Sequence, residues 1–343
     1  MAGTSPAMTK RCGCTMNPVL CLRPEADFAR VDALPPPSLT VSYRKPDDGD
    51  VPQLMKSAGA LVMPAVGPKL PAALFEGTTL RLVQVTGAGL DRLDQAALAR
   101  LRIPLANVPG GSNRAVAEYA VTTASMLLRR FAWADAEVKR GNYAAFRARM
   151  LADNLGGLDG CMVGIVGLGV IGLAVAQAFH KAGCRLCYHD PASPNAAVAK
   201  SLGAESLSLD DLLARSDVVT LHVPLIPATR GLIGEKELAR MKPGAVLVQA
   251  SRGGIVDEAA LAAALQSGRI GGAAVDVYSS EPPAADNRLL ALTWEAAERV
   301  LFTPHIAGVT RQSSAFLFRS SWANVERVLI RNEPPLNRVG GGA

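Results

Sequence analysis

Between Gly160 and Phe179 the chain runs 20 residues without a charge, yet glycines at 160, 164, 167, 169 and 172 divide the run. That length is enough to cross a bilayer. The glycines argue otherwise, because they split the stretch into a short apolar strand, Met162–Val166, a tight turn, and the start of a helix, Val170–Lys181. The turn reads Gly167-Leu168-Gly169-Val170-Ile171-Gly172, a G-x-G-x-x-G in its full strand–turn–helix context. The first glycine permits the turn, the second lets a pyrophosphate approach the backbone, and the third lets helix and strand pack closely. Free N–H groups at the helix start then face the phosphates. Asp190 stands 18 residues past Gly172, at the end of the next predicted strand, placed to bond a ribose 2′-hydroxyl and repel a 2′-phosphate. The unit predicts NAD rather than NADP, with the neighbouring His189 softening that preference.

The alternation continues down the chain. Strands are predicted at Met162–Val166, Arg185–His189, Val218–Leu221, Ala245–Gln249, Gly272–Val275 and Val300–Phe302. Helical patterns lie between them at Val170–Lys181, Asn195–Leu202, after Ser208, Glu235–Met241 and Asp257–Ser267. Six strands joined mainly by helices predict a Rossmann-type doubly wound parallel sheet. Apolar runs at Val19–Leu22, Leu39–Tyr43, Ala60–Met63, Leu80–Val85 and Ile103–Val108 predict a smaller, flavodoxin-like α/β domain. At 343 residues the chain has room for two domains. The turn-rich Asn107–Asn113 segment marks the first crossing, and a return is needed near Gly308. The larger domain, 113–307, is thus predicted to be inserted into a smaller one built from 1–112 and 308–343.

Composition removes several function classes. Hydrophobic residues make up 49% and charged ones 19%, which excludes disorder, while 5% aromatics suits closely packed helices and sheet better than a base-stacking surface. The net charge of +6 is spread out, with no run of Lys or Arg longer than two, so no nucleic-acid partner is predicted. Cys12, Cys14, Cys21, Cys161, Cys184 and Cys187 lack a disulfide framework, and Cys184 and Cys187 read as buried filler around a strand. No metal site emerges. The first 18 residues read as a loose tail without the apolar core of a signal peptide, so a cytoplasmic protein with no membrane partner is expected.

A second constellation follows the later strands, at the carboxyl ends where open α/β sheets hold ligands. Arg252 lies in Ser251-Arg-Gly-Gly254, Asp276 ends a strand, Glu281 stands five residues on, and His305 follows the last strand. Beside a nicotinamide, His305 can exchange a proton with an alcohol oxygen, Glu281 can orient the imidazole and stabilise its protonated form, and Arg252 can hold a carboxylate.

The chain resembles the D-isomer-specific 2-hydroxyacid dehydrogenase family from about residue 80 to 338. The likeness is carried by Val85-Thr-Gly-Ala-Gly-Leu-Asp91, Asn107-Val-Pro-Gly, Ala115-Val-Ala-Glu118, the Gly167–Gly172 turn, Leu221-His-Val-Pro-Leu225, Thr229-Arg-Gly231, Ser251–Glu258, Asp276–Pro282 and Thr303-Pro-His-Ile-Ala307. The resemblance implies a catalytic set of Arg252, Glu281 and His305. It also implies cofactor contacts from Val170, Ile171, Val223, Ala250, Arg252, Asp276, His305 and Ala307. Backbone around Ala65-Val66-Gly67 and Gly87-Ala88-Gly89 is then expected to grip a substrate carboxylate with Arg252. The first of these loops, Met63-Pro-Ala-Val-Gly67, lacks the basic or hydroxyl residue of many relatives, and Pro64 has no N–H. Ala88 stands where phosphite-oxidising relatives carry lysine, and Glu281 where formate dehydrogenases carry glutamine, so both activities are disfavoured. The expected activity is NAD-dependent interconversion of an (R)-2-hydroxy acid and its 2-oxo acid. An NAD-sensing, corepressor-like protein is the alternative. The segment Phe131–Met150, with Trp133, Tyr143 and Phe146, resembles the family's dimer-forming extension, so a homodimer is expected.

Overall fold

Every strand in the computed structural model pairs in parallel with its neighbours, so each must be followed by a crossover that covers a face of its sheet. The structure describes residues 17–192 and 195–340; Cys12, Cys14 and the predicted tail up to residue 16 lie outside them. Contacts divide the chain into two compact units, Met1–Pro109 with Ser314–Ala343, and Gly110–Ser313.

The smaller unit holds β1 (Pro18–Cys21), β2 (Thr40–Tyr43), β3 (Ala60–Met63), β4 (Leu82–Val85) and β5 (Leu105–Ala106), in the order β2-β1-β3-β4-β5. That is the flavodoxin-like order. Pro18, read from sequence as the end of the tail, opens β1. Apolar side chains fill both faces of this sheet. On one of them the helix Arg311–Leu329 brings Phe318 and Trp322 onto Phe28, with ring centroids 4.7 and 5.0 Å away. Asn324 of the same helix donates to the fully buried Gln84 of β4 at 2.9 Å, so a polar strand residue inside the core keeps a partner.

The larger unit holds β6 (Met162–Val166), β7 (Arg185–His189), β8 (Glu205–Ser206), β9 (Val218–Leu221), β10 (Val246–Gln249), β11 (Gly272–Val275) and β12 (Val300–Phe302). Their order, β12-β11-β10-β9-β6-β7-β8, is the doubly wound Rossmann arrangement, with the reversal between β6 and β9. Burial on both faces explains the continuous apolar runs: in β10, Val246 and Val248 enter one core and Leu247 the other. The seventh strand, β8, was not expected from sequence. It is a two-residue edge of exposed Glu205 and Ser206, recruited by pairing with Cys187 and Tyr188.

The uncharged run is β6, the glycine turn and most of the helix Val170–Lys181, and no helix among the described residues is long and apolar enough to cross a membrane. Cys184 and Cys187 are buried; the Cys184 thiol donates to the Leu158 carbonyl at 3.1 Å, and burial pushes it up to about 11. Among the described residues no cluster of His, Cys, Asp and Glu could hold a metal. Phe131–Met150 resolves into helices Phe131–Lys139 and Tyr143–Ala152, where Trp133 and Phe146 bury against each other at 5.3 Å while Phe131, Tyr143 and Leu151 stay exposed.

Candidate active site

The glycine turn leaves β6 at the point where strand order reverses. Gly167 has φ +91°, open to glycine alone at little cost, and a Cβ there would meet the His222 carbonyl oxygen at 2.7 Å. A Cβ on Gly172 would lie 1.9 Å from the Gly167 oxygen, so the third glycine lets the helix start directly against the turn. At Gly169, by contrast, a Cβ would meet nothing within 4 Å. Its bareness serves the open side, where phosphate can reach the backbone and the unpaired N–H groups of the first helical turn. The turn therefore fits a dinucleotide. Val170 is exposed and Ile171 half-buried at this mouth.

Asp190 braces the turn: its Oδ2 accepts the Leu168 N–H at 2.6 Å and its Oδ1 the Ala192 N–H at 2.8 Å. Asn195 closes the brace by donating to the Leu168 carbonyl at 2.7 Å. The His189 ring turns its Nδ1 to the Leu207 carbonyl at 3.0 Å. After β9, Val223 touches the position a Gly167 side chain would take, and burial pushes His222 down to about 3, so its imidazole brings no positive charge to the phosphates.

The expected catalytic residues follow three adjacent strands in register, since Gln249 pairs with Val275 and Val275 with Phe302. Their loops leave the same edge. Gln249 holds the first loop by donating to the Arg252 carbonyl at 2.9 Å and accepting the Ser251 hydroxyl at 2.8 Å. A Cβ on Gly253 would overlap the Tyr278 carbonyl oxygen at 1.8 Å, so this glycine lets the Ala250–Gly254 backbone lie directly on that of the Glu281 loop. Arg252 donates from Nη1 to the Ser251 carbonyl at 2.7 Å.

His305 sits at φ +54°, a left-handed backbone unusual for a residue with a side chain. Asp276 supplies what holds it there. The Asp276 carbonyl accepts the His305 N–H at 2.8 Å, and its buried carboxylate accepts the Ile306 and Ala307 N–H groups, each at 2.8 Å, and the Thr303 hydroxyl at 2.5 Å. Since Thr303 donates to Asp276, its oxygen accepts from the Tyr119 hydroxyl at 2.8 Å; burial pushes that phenol up to about 12 and keeps it a donor. Glu281 Oε2 lies 2.8 Å from His305 Nδ1, and its Oε1 accepts the Tyr278 N–H at 3.1 Å. A carboxylate on Nδ1–H leaves Nε2 as the working nitrogen.

The loops of the smaller unit start level with each other, because Met63 of β3 pairs with Val85 of β4. They touch: a Cβ on Gly87 would lie 2.9 Å from that of Ala65. Gly87 and Ala88 turn their carbonyls to the Val108 N–H and the Asn107 side chain, at 2.9 and 2.8 Å. Arg92, buried beneath the other loop, donates to the carbonyls of Pro64 and Pro68 at 2.9 and 2.7 Å. Sequence reasoning missed Arg92, Tyr119 and Gln249, and it saw Thr303 only as part of a motif.

Residues 121–307 match the family model described as D-isomer specific 2-hydroxyacid dehydrogenase, NAD binding domain. The chain belongs to this family. NAD is its cofactor, and the larger unit carries the family's NAD-binding domain. The chain is 38% identical to a D-3-phosphoglycerate dehydrogenase of Archaeoglobus fulgidus over 234 residues, covering 68% of this chain but 42% of that protein's length. It is 38% identical to the (S)-sulfolactate dehydrogenase of Chromohalobacter salexigens over 249 residues, 73% of this chain and 76% of the relative. Among solved structures, a D-lactate dehydrogenase of Treponema pallidum superposes with a TM-score of 0.78 at 29% identity, covering 95% of this chain and all (100%) of the other. This 2-hydroxyacid dehydrogenase homologue thus has both sheets of its structural relative, while it spans less than half of the first curated relative.

Proposed function

We propose that the chain is an NAD-dependent oxidoreductase that interconverts an (R)-2-hydroxy acid and its 2-oxo acid, with residues 113–307 holding the cofactor and 1–112 with 308–343 the substrate. The observation that carries this reading is the Glu281–His305 pair at 2.8 Å, held beside Asp276 at the carboxyl edge of an NAD-binding sheet. NAD(H), when bound, supplies or takes the hydride at its nicotinamide C4. Val170 and Ile171 border the pyrophosphate, Asp190 the ribose and Val223 the adenosine, while Ala250, Asp276 and Ala307 line the nicotinamide end. His305 Nε2 gives a proton to the substrate oxygen in reduction and takes it back in oxidation, and Glu281 holds the imidazole in that orientation. In the smaller unit the N–H groups of Ala65, Val66, Gly67, Ala88 and Gly89 are the donors to a substrate carboxylate, and in the larger unit Arg252 is the carboxylate-binding cation.

The exposed Phe131, Tyr143 and Leu151 support a homodimer through the Phe131–Ala152 helices. The free thiols of Cys21, Cys161, Cys184 and Cys187 support a cytoplasmic protein.

The test is NADH oxidation with glyoxylate, hydroxypyruvate, pyruvate and phenylpyruvate, run in parallel with NADPH. Absence of turnover across the panel with NADH bound would overturn the reading. Arg252→Ala is expected to lower kcat/KM for the preferred acid by about 10²-fold, the loss for a substrate no longer clamped in place. NADH affinity, read by fluorescence titration, should change by less than about twofold.

A further inference from the structure

We propose that Arg92 is a positioning and specificity residue: from beneath the Pro64–Pro68 loop it turns the loop's N–H groups outward as a cradle for a small carboxylate and supplies the cradle's positive charge. The inference rests on the reductase reading for the identity of the substrate, and on the geometry of the smaller unit for the cradle itself.

Arg92 is 3% exposed and, among the described residues, has no carboxylate partner. A buried cation without a counterion is expensive, and guanidinium keeps its proton even where burial lowers its pKa, as it does here. Only carbonyl oxygens answer the charge. Nε donates to Pro68, Nη1 to Pro64, and Nη2 is buried without any partner. The Arg92 carbonyl accepts the Leu70 N–H at 2.9 Å, so the loop is tied to this residue at both ends. Gly67, at φ +127°, lies over the guanidinium; a Cβ there would stand 3.2 Å from Cζ.

Among the described residues the single cis peptide is Glu281–Pro282, so the loop peptides are trans. In a trans peptide the C=O and N–H point in opposite directions. A Pro64 carbonyl aimed at Arg92 therefore aims the Ala65 N–H away from it. The same holds across the gap, where the anchored Gly87 and Ala88 carbonyls turn the Ala88 and Gly89 N–H groups off their supports. With Gly87 pressed against Ala65, the donors of the two loops are near neighbours on the smaller unit. From Met63 to Pro68 no side chain carries a charge or a hydrogen-bond donor, and the next residue, Lys69, is exposed, so the buried positive charge beneath the loop is that of Arg92.

Oxalate is the probe, since it carries the carboxylate of a 2-oxo acid and cannot be reduced. Its affinity for the NADH-loaded protein is measured by titration calorimetry at low and moderate salt. Arg92→Gln is expected to weaken oxalate at least about tenfold and flatten the salt dependence, whereas Arg92→Lys, which keeps the charge, loses less than about threefold. Ala65→Pro removes one cradle N–H and leaves Arg92 in place, so a comparable loss is expected there even if Arg92→Gln does not fold. NADH affinity and melting temperature, measured alongside, separate a local effect from a disrupted fold. Equal oxalate affinity in wild type and folded variants, Lys and Gln variants weakened alike, or no oxalate binding to wild type would each overturn the proposal. Oxalate binding without turnover of any 2-oxo acid would instead sink the reductase reading alone.

Discussion

His305→Gln is expected to lower 2-oxo acid reduction by about 10²- to 10⁴-fold, the range for losing a positioned general acid, while NADH binding stays within about twofold of wild type. Glutamine can still meet Glu281 but carries no transferable proton. Reduction takes a proton from His305 Nε2 and oxidation returns it, so both directions should fall together in His305→Gln. In Glu281→Gln the imidazole loses the carboxylate 2.8 Å away that holds its Nδ1, so kcat should fall by about 10²-fold, the cost of a misplaced catalytic group. Glu281→Gln turnover equal to wild type would remove Glu281 from the mechanism. A His305→Gln variant that keeps wild-type turnover in both directions would do the same for the histidine.

What makes this prediction specific is the anchoring of His305, and little of that anchoring is local in sequence. Thr303, Pro304 and His305 stand together, but the Tyr119 hydroxyl that completes the chain through Thr303 to Asp276 lies 184 residues from Thr303. No periodicity reports such a contact. Asp276 was legible as an acid at a strand end, whereas its use as the acceptor for two N–H groups of the His305 loop required the fold. Strands in both sheets were legible because parallel strands buried on two faces read as unbroken apolar runs. Glu205 and Ser206 of β8 are exposed, and edge pairing alone makes them a strand. Arg92 follows Asp91 in what looks like a solvated turn, and only the loop folded over it shows a buried cation.

The glycine turn is the part where sequence and geometry meet most closely, and it separates two effects that a motif alone merges. Gly172→Ala forces a methyl to 1.9 Å from the Gly167 carbonyl oxygen, a backbone atom that cannot swing aside. The helix must move off the turn, so we expect a loss of about 1–3 kcal/mol in stability, as for overpacked sites, together with at least a tenfold loss of NADH affinity. Gly169→Ala tests the other half. Its φ of −67° is open to any L residue and the new methyl meets no protein atom within 4 Å, so the melting temperature without cofactor should hold. The methyl instead enters the space where phosphate must approach the backbone, so NADH affinity should still fall at least about tenfold, with a matching loss of the thermal stabilisation NADH confers. Melting curves with and without NADH, beside a fluorescence titration, read both effects. If Gly169→Ala bound NADH as tightly as wild type, the pyrophosphate could not lie against this turn, and the assignment of Val170 and Ile171 beside it would fall as well.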